Sequence, residues 1–174
     1  MIAATEDKAL RKEDRLRELA LMVLVTADAC RISGVAALHR VGRAFVSDTP
    51  SDEPPPTPYF RPERLDALLP GVEEWRAGLA KLESYAQAYD ANDAKVDQLL
   101  RDASPRWRLD RMSSVDRCLL RLGCLELVAM TDLRPRQTIN GAVELAKRYG
   151  SDTSRAFVNG ILDQVRKNLG MPFR

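Results

Sequence analysis

Between Ser113 and Val128 the apolar residues Val115, Cys118, Leu119, Leu122, Leu125 and Val128 recur at steps of three and four, and no stretch of the chain alternates apolar and polar residues with a period of two. A period near 3.6 lets one stripe of a helix bury, whereas a half-buried strand needs the period of two. That pattern confines the chain to an all-α fold. The low aromatic content of 6% agrees, because strand-rich domains carry more aromatic residues.

The same spacing predicts the other helices. From Lys8 to Ala29, Leu16, Leu19, Ala20, Val23, Leu24 and Ala27 share one face, while Lys8, Lys12 and Arg15 share another. Val35 to Val46 forms a second apolar stretch, weakened by Gly34 and Gly42, with Arg40 and Arg43 outward. Pro62 to Leu69 supports a turn or two, and Val72 to Tyr89 sets Leu79, Leu82, Ala86 and Tyr89 at helical spacing. Asn92 or Asp93 is then placed to cap a separate helix through Val96, Leu99 and Leu100, which Ser104 and Pro105 end. Ser113 or Ser114 caps the Val115 helix, with Arg117 and Arg121 one turn apart toward solvent. After a turn in which Pro135 biases Arg134 away from helical angles, Thr138 begins a helix carrying Ile139, Ala142, Val143, Ala146 and Tyr149 and stopped by Gly150. A last helix starts near Thr153 or Ser154 and buries Phe157, Ile161, Leu162 and Val165.

About seven helices with short connections argue for one compact helical bundle spanning residues 1–174. A domain of that length buries enough surface to need no disulfide or metal. The exception among the connections is Ser47 to Pro62, SDTPSDEPPPTPYFRP, which holds six of the ten prolines. Prolines at that density cannot continue a helix, so the segment is read as an exposed loop inserted between helices.

The residues offer little to an enzyme. Cys30, Cys118 and Cys124 form no CxxC pair and His39 is the single histidine, so neither zinc-ligand spacing nor a disulfide framework is present. Three reduced thiols, two of them in the core, fit a reducing compartment. There is no GxGxxG and no GxxxxGK, and His39 has no nucleophile signature beside it. Asp110, Asp116, Glu126, Glu144, Asp152 and Asp163 are scattered over several helices, where pairing with Arg111, Arg117, Arg121 and Lys147 is the ordinary explanation. No catalytic residue, metal or cofactor is expected. The longest apolar run, Leu19 to Val25, is far short of the ~20 residues a membrane span needs, and the amino terminus lacks the basic-then-apolar order of a secretory signal. A cytoplasmic protein without a membrane partner is expected.

Net charge is +2, but it is unevenly spread: the first 100 residues carry 13 Lys and Arg against 17 Asp and Glu, the last 74 carry 14 against 8. Such asymmetry points toward a nucleic-acid partner, with solvated helix faces as the plainer alternative.

Three motifs in order carry a resemblance. They are Arg111-Met-Ser-Ser-Val-Asp116-Arg117-Cys-Leu-Leu-Arg121-Leu-Gly-Cys-Leu-Glu126-Leu, then Ile139-Asn140-Gly141-Ala-Val-Glu144-Leu-Ala-Lys147-Arg-Tyr-Gly150 after Pro135, then Phe157-Val-Asn159-Gly160-Ile-Leu-Asp163. Together they resemble the carboxy-terminal half of a NusB-type transcription antitermination factor. The resemblance implies an RNA-binding protein of the NusB fold that recognises boxA-type single-stranded RNA as a heterodimer with NusE, a small ribosomal protein, in the transcription elongation complex of ribosomal RNA operons. A homodimer that hides the RNA surface is a further possibility in that family, through Leu21, Met22 or Val25. The chain ends at Arg174, without room for the catalytic domain that follows a NusB-like domain in some ribosomal RNA methyltransferases.

Backbone cations and planar groups for unstacked bases are what single-stranded RNA asks for. The resemblance offers Lys8, Arg11, Lys12, Arg15 and Arg17 from the amino-terminal helix, and Arg148, Tyr149 and Arg155 from the carboxy-terminal half. Met22, Val25 and Asp116 are its partner-binding positions. Phe157 is expected as a core anchor, Glu144 and Lys147 as a surface pair, and Asn159 and Asp163 as residues that fix helix packing by hydrogen bonds. The chain departs from the pattern at Met22 and Val25, where the family usually has glutamine and tyrosine, and at Gly141, where it usually has glutamate. With Thr138 as the cap, that glutamate would complete a capping box. Residues 1–17 set five cations against four anions, which dilutes the basic cluster. The alternative function is a protein-interaction scaffold of the same fold with weak or no RNA binding.

Overall fold

The computed structural model describes residues 12–46, 72–130 and 132–173, with side chains described over 14–42, 78–130 and 132–173. The inserted loop at 47–62, the short helix expected over 62–69, and Lys8 and Arg11 lie outside the described residues. Within them the chain forms α1 (Lys12–Cys30), α2 (Gly34–Val46), α3 (Val72–Ala103), a single 3-10 turn (Leu109–Arg111), α4 (Ser114–Ala129), α5 (Pro135–Tyr149) and α6 (Ser154–Asn168). No strand occurs among the described residues.

At the centre lies α4, packed against α1, α3, α5 and α6. The periodicity assigned it one buried face. The structure buries Leu120, Cys124 and Leu127 as well, together with every residue from Leu122 to Leu127. A helix buried over most of its circumference is a core helix rather than a surface one, here with Asp116, Arg117 and Arg121 staying partly exposed. Close approach on one side depends on Gly123, where a methyl group would overlap the Leu162 side chain of α6. At its start Ser113 Oγ accepts from the Asp116 amide at 3.0 Å and donates to Asp116 Oδ2 at 2.9 Å, a reciprocal cap that realises one of the two serines expected there.

Two boundaries differ from expectation. The segments Val72–Tyr89 and Asn92–Leu100 are one continuous helix of 32 residues, α3, and Asn92 donates to the Ala88 carbonyl at 2.8 Å instead of capping. Leu82, Tyr85 and Ala86 are buried before the junction and Val96 and Leu100 after it, with Ala88 and Tyr89 partly buried between them, and neither Gly nor Pro interrupts the helix. Packing therefore outweighs the local capping preference of Asn and Asp. Likewise α5 begins at Pro135, not Thr138. Proline is preorganised for the first helical position, and the Arg134 amide donates to the Gln137 side chain at 3.2 Å. Arg134 itself is extended, as a residue before proline should be (φ −78°, ψ 140°). Thr138 is buried one turn inside the helix, and its hydroxyl has no partner among the described residues.

The α1–α2 corner is fixed from both sides. Arg31 adopts the left-handed conformation (φ 55°) just past α1, and the Ile32 amide reaches back to the Ala27 carbonyl at 3.1 Å. The Asp90 carboxylate of α3 then accepts the amides of Gly34 and Val35, supplying the first turn of α2 with a partner.

Candidate nucleic-acid interface

Two charged residues of α1 are buried where its apolar stripe passes through the core. Arg17 is 5% exposed and donates Nε–H to both oxygens of Glu126 on α4, at 2.8 and 3.0 Å. The Tyr85 hydroxyl of α3 donates to Glu126 Oε1 at 2.7 Å, so one carboxylate ties three helices together. Burial would lower the pKa of Arg17, but the charge and hydrogen bonds of Glu126 hold it above its usual value. Burial, reinforced by Glu126, likewise keeps the Tyr85 hydroxyl protonated far beyond the ordinary phenol range. Gly141 of α5 makes room for this cluster: a methyl group there would stand 2.6 Å from an Arg17 guanidinium nitrogen. The missing glutamate at 141 is thus a packing matter, and the capping role expected for that position falls to Gln137.

Glu18, 1% exposed, points the other way along α1, toward α5. It accepts from Arg148 at 3.1 Å and from the Tyr149 hydroxyl. The junction brings the predicted cation and planar group of the carboxy-terminal half against the predicted basic helix. Arg15 is half-buried one turn before it, and Arg155 is exposed at the second position of α6. The Lys12 side chain lies outside the described ones.

Arg17 needs correction. Its guanidinium is engaged inside the protein, because a buried carboxylate holds it, and it presents no charge to a ligand. Met22 and Val25 are 9% and 7% exposed and belong to the hydrophobic core, so the apolar departures from the family pattern are accommodated within the bundle. Asp116 remains partly exposed on the first turn of α4, with one buried carboxylate oxygen that lacks a partner among the described residues.

A second cluster joins α1, α3 and α4 nearer the surface. Asp28 accepts from Arg117 at 3.1 and 2.6 Å and from Arg121 at 2.7 Å, while Arg121 also grips Asp97 of α3 through two bonds of 2.8 and 2.9 Å. Arg117 adds bonds to the carbonyls of Leu109 and Met112, at 3.1 and 3.0 Å, and so fastens the 3-10 turn. Burial by itself would raise the Asp28 pKa; the two arginines overcome it and hold the carboxyl below its ordinary 3.8. Arg117 and Arg121 therefore do not face solvent as the spacing suggested.

Further expectations divide. Cys118 and Cys124 are buried, and burial pushes both thiols up to about 12, while Cys30 is partly exposed. Glu144 and Lys147 form the expected surface pair. Phe157 packs on the core only partly and meets Trp107 edge-on, with ring centroids 5.4 Å apart. Asn159 is exposed, and Asp163 pairs with Arg166 and Lys167 of its own helix at 2.9 and 2.7 Å. Neither ties one helix to another, because their side of α6 faces away from the bundle.

Sequence reasoning missed Glu18, Asp28 and Tyr85 altogether. A signal was present: Arg17 and Glu18 sit within an apolar stripe, and Glu126 stands between Leu125 and Leu127. Charges at such positions must be paired.

The chain is similar to known proteins in sequence and in fold. The model of the NusB family matches residues 65–167. The chain is similar to the transcription antitermination protein NusB of Sorangium cellulosum (strain So ce56), at 39% identity over 154 residues covering 88% of this chain and 91% of that protein. It is 32% identical to the NusB of Geotalea uraniireducens (strain Rf4) over 149 residues, 86% of this chain and 90% of the relative. A solved structure of T. maritima NusB superposes with a TM-score of 0.66 at 25% identity, covering 92% of this chain and 93% of that one. A chain in the crystal structure of a plectonemic RNA supercoil shares the fold, with a TM-score of 0.64, 21% identity and coverage of 92% and 97%.

Proposed function

This chain belongs to the NusB family of transcription antitermination proteins, and from that premise we propose that it binds boxA-type single-stranded RNA together with NusE to support transcription of ribosomal RNA operons, acting in the cytoplasm within the elongation complex. The observation that carries this reading is the Glu18 junction. By holding Arg148 and Tyr149 against α1, it sets the first turns of α1, with Arg15, beside the last turn of α5, which also carries Lys147. Cations from two distant parts of the sequence thus border one surface, which is what a phosphate backbone needs.

A second reading, a protein-interaction scaffold with little RNA affinity, draws support from the internal placement of Arg17. With Arg17 withdrawn, residues 1–16 hold four cations against four anions. Titrating labelled boxA RNA and a scrambled RNA of equal length with the protein, with and without NusE, separates the two. The antitermination reading expects tighter binding to boxA when NusE is present; equal binding to both RNAs in the presence of NusE overturns it in favour of the scaffold.

A further inference from the structure

Where α1 and α3 end, beside the 3-10 turn, the surface folds into a cleft of about 810 Å³. Pockets of roughly 300–1,000 Å³ are the size that takes small organic ligands. Its floor is the Asp28, Arg117, Arg121 and Asp97 lattice, and its wall includes Trp107. Neither is used by the surface at the opposite end of α1.

The balance of charges shows what the cleft attracts. Five arginines and three aspartates line it. Asp28 and Asp97 are held by Arg117 and Arg121, and Asp110 is held by Arg108 through bonds of 3.0 and 2.7 Å. The surplus rests on Arg31 and Arg101, both exposed, and neither has a carboxylate partner among the described residues. Arg31 stands on the left-handed residue that closes α1, so its backbone is fixed by the helix end and not by a mobile loop. The carbonyl ends of α1 and α3 carry partial negative charge, which stabilises the guanidiniums beside them, so the attraction for an anion rests on Arg31 and Arg101 alone.

Trp107 is 60% exposed, one of two large apolar side chains so open among the described residues. Its edge-on contact with Phe157, at an interplanar angle of 75°, steadies the ring without covering both of its faces. A bare indole face beside unpaired guanidiniums suits a flat, anionic ligand. A protein carboxylate would satisfy the arginines but leave the indole uncovered, and a duplex keeps its base faces stacked within itself. We propose that this cleft takes one nucleotide of single-stranded RNA, its base against Trp107 and its phosphate on Arg31 and Arg101. The inference rests on the reading of single-stranded RNA as the ligand and extends the contact surface to the far end of α1.

The test uses the full chain carrying Trp75→Phe, which leaves Trp107 as the sole tryptophan. Titration with fluorescein-labelled boxA RNA, in the presence of NusE, reads overall binding by anisotropy and the cleft by Trp107 emission. Quenching of Trp107 in step with the anisotropy is expected. Trp107→Ala should weaken binding about tenfold. Arg31→Gln with Arg101→Gln, both surface changes, should lower the slope of log affinity against log salt by about 0.7 for each phosphate that is no longer neutralised. Unquenched Trp107 at saturating boxA RNA overturns the cleft and leaves the antitermination reading standing. Quenching by boxA and scrambled RNA alike keeps the cleft and overturns that reading. A Trp107 response to NusE alone, unchanged by RNA, makes the cleft a protein contact and overturns the proposal, as does an unchanged salt slope in the double variant.

Discussion

Two ion-pair clusters fasten α1 to α4, and their construction differs. Arg17, Glu126 and Tyr85 form a compact set in the core, where the carboxylate has two donors, a glycine on α5 clears the space, and Arg17 reaches outward only to Asp14 at 3.4 Å. Asp28, Arg117, Arg121 and Asp97 form an open chain at the rim, where each carboxylate and guanidinium retains some contact with water. In the core, desolvation makes an unpaired charge expensive, so the cluster works only complete. At the rim the cost of losing one member is shared with solvent and with the remaining partners. The first cluster fixes how the helices meet, while the second lines a cleft and stays chemically available.

The largest expected effect tests the compact cluster. Glu126→Ala leaves the buried Arg17 charge with only its 3.4 Å contact to Asp14 and should cost about 3–5 kcal/mol in urea unfolding. Replacing both charges, with Arg17→Met and Glu126→Leu, should recover part of that loss. A single-variant cost under about 1 kcal/mol would show that Asp14 alone can hold the guanidinium and would erase the contrast. Next, Gly141→Ala should destabilise by about 1–3 kcal/mol, because the added methyl displaces a guanidinium already held on its far side. Equal stability would mean that Arg17 has room to move, and the cluster is then not compact.

For the rim, Asp28→Asn should cost about 2 kcal/mol near neutral pH, since charged hydrogen bonds to two arginines weaken but do not vanish. The pH dependence sharpens this. The folded pKa of Asp28 is held below its ordinary 3.8, so the unfolded chain binds the proton more tightly. The stabilisation is complete above the unfolded value and is lost as pH falls through the folded one. The gap between wild type and Asp28→Asn should therefore narrow on acidification below about pH 4. A gap that stays constant there would remove Asp28 from the lattice. The smallest effect is expected at Lys147→Ala, within about 0.5 kcal/mol of wild type, because both Lys147 and Glu144 are well exposed and water screens the pair.

The bundle was largely legible because helix formation follows a repeat that neighbouring residues carry. The stripes ending in Ala27 and Val165, the Ser113 cap and the extended Arg134 all emerge from spacing and local stereochemistry. Boundaries differ where packing on both sides of a capping residue carries the helix through it, as at Asn92, or where proline starts a helix before the threonine expected to cap it. The interface was less legible. Arg17 has the chemistry of an RNA contact and the position of a core residue, and only its partner decides between them.

The sequence by itself determined an all-helical chain, its recurring motifs and their family, because periodicity and motif order are properties of residues close together. The tertiary structure decided which charges are internal. Arg17 and Glu126 lie 109 residues apart and Glu18 and Arg148 lie 130 apart, so no local pattern pairs them. Burial depends on which helices pack together, and it separates the arginines available to a ligand from those that hold the fold.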